Sequence, residues 1–205
     1  MTERTATTQV PLHSLLSTRW SPRGLDASHE ITPDQATALV EAARWTASAS
    51  NTQPWRFLIA RRGAAAFTSL FETLAPGNQV WAGNASALIL IAAQTVNSDG
   101  QPQPWALYDT GQAAAQLALQ AHHEGLVVHQ MGGFDQDAVV QRLPLPEGVV
   151  PVAVAAVGAL DPNAATVFPD TPYTGIQFVQ IPEFQKLGDD CTKEFAGAIT
   201  DNQTA

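Results

Sequence analysis

The chain has 205 residues, of which 45% are apolar and only 14% charged, a globular rather than a disordered composition. Ten Lys and Arg against 19 Asp and Glu leave a net charge of −9, which repels phosphate backbones and anionic lipid and argues against nucleic-acid or membrane partners. One cysteine, Cys191, excludes an internal disulfide and fits a reducing compartment, the cytoplasm. The low charged fraction points to a face buried against a partner.

In chain order, residues 1–10 are polar and do not read as a signal peptide. Leu12, Leu15 and Leu16 predict a short helix over 11–18, and Pro22 and Gly24 predict an extended stretch from Arg19 to Gly24. Thr32, Pro33 and Gln35 write a capping box for a helix whose buried stripe is Ala36, Leu39, Val40 and Ala43. Residues 46–51 read as a small-residue loop, 55–60 as a strand and 64–74 as a helix broken at Pro76-Gly77. A doubly buried strand is expected over 87–93, too short to span a bilayer. A loop follows over 94–104, then an Ala-rich helix over 109–123 ended by Gly125, and a short strand over 126–128. Asp135 is expected to cap a short helix that stops before Pro144, and 149–160 to form a central strand. Beyond 161 the expectation is a loop over 162–173, an edge strand over 175–181 and helix over 182–199. Helices and strands alternate without clean βαβ units, so the class is α+β.

Three segments carry chemistry. In Arg19-Trp20-Ser21-Pro22-Arg23, extended geometry puts Arg19, Ser21 and Arg23 on one face, two guanidinium forks and a hydroxyl within about 13 Å. That trio suits a phosphate or a planar anionic edge; the alternative is a pair of surface arginines flanking a turn. In Ser50-Asn51-Thr52-Gln53-Pro54-Trp55, the Asn51 and Gln53 amides can read the edge of a heterocycle, or can serve only their own loop. In Met131-Gly132-Gly133-Phe134-Asp135, paired glycines allow a flat ligand close to the backbone, or form an ordinary turn.

Together the three segments resemble the nitroreductase family of FMN-dependent oxidoreductases. Arg19-x-Ser21-x-Arg23 matches the family's opening R-x-S-x-R, and residues 42–55, AARWTASASNTQPW, follow its A-A-R-W-A-P-S-S-x-N-x-Q-P-W stretch except that Thr46-Ala47-Ser48-Ala49 stands for its A-P-S-S. Asp109-Thr-Gly-Gln-Ala is similar to its D-x-G-x-A helix, and Gly133-Phe134-Asp135 to its G-F-D turn. The order and spacing agree over residues 12–160.

The resemblance implies a nitroreductase-like α+β fold, a central mostly antiparallel sheet flanked by helices, in an intertwined homodimer with FMN at the protomer interface. It implies a domain over 1–161 and a divergent C-terminal tail over 162–205, which is expected to pack on the same or the partner protomer. Arg19 would hold the FMN phosphate, with Trp20 and Ser21 on the same segment. Arg23 would lie near flavin N1 and the C2 carbonyl, Asn51 and Gln53 near the pyrimidine edge, and the Gly132 amide toward N5 with Gly133 beside it. NAD(P)H would deliver hydride through flavin N5 to an electrophilic acceptor such as a nitroaromatic or quinone, so no catalytic side chain and no metal are required. The family commonly ends on a basic residue that touches the phosphate; here only Lys186 and Lys193 carry positive charge after 161. A non-catalytic relative, a flavin-binding or flavin-free sensor or interaction dimer, is the alternative that this tail suggests.

Other signals are weaker. Asp109-Thr110-Gly111 copies an aspartic-protease triplet, but the Ala-rich run after it is helical and makes Asp109 an N-cap. His122, His123 and His129 have no carboxylate or cysteine to complete a metal set. No G-x-G-x-x-G is present, so nicotinamide would bind over the flavin.

Overall fold

The computed structural model describes residues 5, 6, 8 and 10–163. Four strands, β1 (Trp55–Arg61), β2 (Ala87–Gln94), β3 (Val127–Met131) and β4 (Val149–Gly158), form one antiparallel sheet in the order β1-β2-β4-β3. The two interior strands are those with unbroken apolar runs, as strands covered on both faces require. Leu88, Leu90 and Ala92 of β2 turn to one face with Val154 and Ala156 of β4; Ile89 and Ile91 turn to the other with Ala155 and Val157. Opposite Ile91–Ala92 the register shifts by one residue at Pro151, which has no N–H to give to a regular ladder.

Helices cover both faces. On the first, α3 (Ala65–Phe71), α4 (Pro76–Ala82) and α6 (Gln136–Arg142) bury Phe67, Leu70, Trp81 and Val139. On the second, α2 (Pro33–Arg44) and α5 (Ala106–His123) bury Leu39, Ala43, Ala113, Leu117 and Ala121. The short α1 (Ser14–Ser17) precedes them. The capping box at Thr32 is complete, with Gln35 N–H donating to Thr32 Oγ1 and Thr32 N–H donating to Gln35 Oε1, both at 3.1 Å.

The α+β class and the antiparallel sheet flanked by helices hold, with differences that have local causes. The helix read over 64–74 ends before Pro76-Gly77 as expected, but that pair then opens a further helix, α4, since proline is at home at the first helical position. Helix α5 begins three residues before Asp109; its buried stripe passes through Ala106, Asp109 and Thr110, and the two polar members conceal it from a hydrophobicity pattern. Strand β3 runs on to Met131, past the polar His129 and Gln130. The structure expected after residue 163, Cys191 and both lysines lie outside the described residues. Among the described residues, no helix is long and apolar enough to cross a membrane.

Candidate functional site

The N-terminal segment is fixed from both sides. Thr18 ends α1; its hydroxyl donates to Ser14 O at 2.7 Å and lies 2.7 Å from His122 Nε2 on α5. Arg19 Nη1 then reaches Ser21 Oγ at 3.4 Å, so guanidinium and hydroxyl share one face as the extended reading predicts. His129 of β3 donates from Nδ1 to the carbonyl oxygens of Ser21, at 2.9 Å, and Pro22, at 3.2 Å. Its ring packs on the Trp81 indole with centroids 4.6 Å apart. His129 therefore keys this segment to the sheet, a role its sequence position did not disclose. Arg19, Trp20 and Ser21 are half-buried and Arg23 is exposed. Burial, then the nearby Arg19 charge, hold the His122 imidazole below its ordinary pKa.

The second segment is a strained loop. After α2 the chain passes through a 3₁₀ turn at Ala49–Asn51, and Ser50, Asn51 and Gln53 have φ of 51°, 57° and 46°. Non-glycine residues enter this left-handed region rarely, Asn most readily. The loop is held by Gln53 N–H donating to Ser48 Oγ at 3.0 Å and by Ala49 N–H donating to Asp109 Oδ2 at 2.9 Å. Asp109 is thus a buried loop anchor in the first turn of α5, not the N-cap expected. Gln53 Nε2 donates to Asn51 Oδ1 at 3.0 Å, so the Asn51 amide hydrogens remain for another acceptor.

The glycine turn leaves the end of β3 and docks on the α3–α4 elbow. Gly133 O accepts from Ala75 N–H and Asn78 Nδ2, both at 2.9 Å, and Asp135 N–H donates to Thr73 O at 2.8 Å. A Cβ on Gly133 would lie 3.1 Å from Asn78 Nδ2, whereas one on Gly132 would meet nothing within 4 Å. The open flank is therefore at Gly132. Asp135 caps α6 as expected, accepting from Ala138 N–H at 2.9 Å. Asn78 escaped the sequence reading because its helix did.

Two of the three segments share an edge. Arg19 and Ser21 are tied to β3 through His129, three residues and about 10 Å before Gly132. Asn51 and Gln53 lead into β1, at the opposite edge of the sheet. The anchors of the two groups, His122 and Asp109, are separated along α5 by 13 residues, about 20 Å. A cleft of about 660 Å³ opens beside the loop, lined by Thr52, Arg56, Gln94, Asn97, Gln103 and Glu147 among others, and none of the eight predicted site residues lines it. Among the described residues, no three His, Cys, Asp or Glu side chains are grouped to hold a metal ion.

The nitroreductase family model matches residues 16–159, and the chain belongs to that family of oxidoreductases. A solved structure of an FMN-containing oxidoreductase superposes with a TM-score of 0.76 at 31% identity, covering 88% of this chain and 97% of that one. A 15.4 kDa protein from the ask 5′ region of Mycolicibacterium smegmatis is 39% identical over 113 residues, 51% of this chain and 75% of the relative. YdgI of Bacillus subtilis (strain 168), a candidate NAD(P)H nitroreductase, is 24% identical over 181 residues, 70% of this chain and 86% of the relative.

Proposed function

We propose that the protein is a cytoplasmic, homodimeric FMN oxidoreductase that takes reducing equivalents from NAD(P)H and passes them to a small electrophilic acceptor, a nitroaromatic or quinone. The observation that carries this is the open face at Gly132 on the same sheet edge as the Arg19–Ser21 pair. The residues fit the cofactor. A guanidinium beside a hydroxyl suits a terminal phosphate, a glycine with nothing above it admits a flat ring to the backbone, and the Asn51 and Gln53 amides suit the ring's pyrimidine edge. Bound FMN would supply the hydride-carrying chemistry, and the protein supplies binding, orientation and charge.

In this reading Arg19 and Ser21 hold the phosphate, with Trp20 beside them. Gly132 directs its amide toward the ring, and Gly133 fixes the turn through Asn78. Arg23 brings positive charge to the ring's N1 end, where it favours the electron-rich state. The separation of Asn51 and Gln53 from this edge supports a site completed by the same loop of a second copy, which is why a dimer is proposed. The name of the FMN-containing structural relative supports the cofactor, and that of YdgI supports the nicotinamide donor.

The test is direct. Purified protein should release FMN, not FAD, on denaturation, sediment as a dimer, and lose its yellow colour with NADH or NADPH under anaerobic conditions. A protein that takes up no FMN when reconstituted would overturn the reading.

A further inference from the structure

We propose that Asp109 is a positioning residue for the flavin loop: its carboxylate clasps the Ala49 amide and holds residues 48–53 in the left-handed shape that presents Asn51 and Gln53. The inference rests on the FMN reading above. Asp109 is only 3% exposed, and it takes no part in the described ion pairs. A carboxylate buried in this way needs donors. It has the Ala49 N–H at 2.9 Å, a long contact from Gln112 Nε2 at 3.5 Å, and the positive end of α5, of which it is the fourth residue.

The loop it grips is the strained one. Left-handed φ at Ser50, Asn51 and Gln53 persists only where surrounding structure dictates it. Among the described hydrogen bonds of residues 48–52, the one to Asp109 alone reaches another element; the rest are local. Ala49 stands two residues before Asn51, so release of its amide lets the turn relax toward right-handed geometry and swings the Asn51 amide away from the place it is held. The motif's aspartate thus serves a segment 60 positions earlier in the chain.

Two variants separate the possibilities. Asp109→Leu is close to aspartate in shape, fills the buried space without charge and leaves the Ala49 N–H unpartnered. Asp109→Asn keeps an acceptor oxygen. FMN titration followed by flavin fluorescence, and amide hydrogen exchange of the apoprotein, are the readouts. Asp109→Leu should weaken FMN binding about tenfold or more and speed Ala49 exchange by a similar factor, while Asp109→Asn stays within about threefold of the parent. Ala49→Pro deletes the donor instead, at a position whose preceding residue, Ser48, is already extended. It should reproduce the FMN loss even if Asp109→Leu does not fold. Parental FMN affinity in Asp109→Leu or Ala49→Pro overturns the proposal, as does an equal loss in Asp109→Asn or exchange that quickens uniformly along α5. If the parent protein itself takes up no FMN, the flavin reading fails, and the exchange of Ala49 still decides whether Asp109 holds the loop.

Discussion

The Arg19 charge acts on His122 at the end of α5. His122 is partly withdrawn from water and faces the Arg19 charge, so its pKa lies below the ordinary 6.5. The unfolded chain then takes up the proton first, and stability falls as the pH drops from about 6.5 toward the folded value. Melting temperatures measured between pH 7.5 and 5 should decline in the parent and decline less in His122→Gln. Asp26 and Glu41 are also lowered, Asp26 chiefly by its hydrogen bonds to Ser28 and Glu41 chiefly by Arg44. They act at lower pH, so the two effects separate. Arg19→Ala should raise the His122 pKa, read by NMR titration of the imidazole. In the reading proposed above it should also weaken FMN by about 1.5–3 kcal/mol, the range for a hydrogen bond to a charged group. An unchanged FMN affinity would remove Arg19 from the phosphate site.

The connections between elements carry constraints that the elements themselves do not. Gly148 precedes β4 with φ of 74°, and a Cβ there would fall 2.2 Å from Val96 Cγ2 and 2.9 Å from Gln94 Nε2. Thr95 N–H and Oγ1 both donate to Gly148 O, at 2.8 and 3.0 Å, so the turn has little room to retreat. Gly148→Ala should therefore cost about 1–3 kcal/mol through strain and overpacking, visible as a lower urea midpoint with an unchanged slope. The glycine turn after β3 is held in another way, by the backbone of Ala75 and the side chain of Asn78.

One sheet serves two cores, and that makes the described residues behave as a unit. Leu70 lies on the face of α3, α4 and α6, and Leu117 on the face of α2 and α5, both fully buried. Leu70→Ala and Leu117→Ala should each cost about 2–5 kcal/mol. They stand on opposite sides of the sheet, so the double variant should lose the sum to within about 0.5 kcal/mol. Because β2 and β4 contribute side chains to both faces, each single variant should unfold in one transition by circular dichroism and by tryptophan fluorescence. Two separate transitions would mean that the faces are independent.

The α2 start was legible in the sequence because a capping box is local: Thr32, Pro33 and Gln35 make their bonds within four positions. The same holds for Asp135 and α6, and for the interior strands, whose burial on both faces is written as continuous apolar runs. Of the three motifs proposed for the site, the matching of Arg19 with Ser21 followed from extended geometry alone. Tertiary structure decided the rest. Pro76-Gly77 is compatible with a turn or a helix start, and only packing of Trp81 into the core selects the helix. Asp109 was visible as a motif residue, but its partner is the Ala49 amide 60 positions away. His129 likewise acts on carbonyls more than 100 positions earlier. Contacts of such separation leave no periodicity in the sequence, because what joins them is the antiparallel sheet order that sets β1 and β3 at opposite edges with α5 running between their loops.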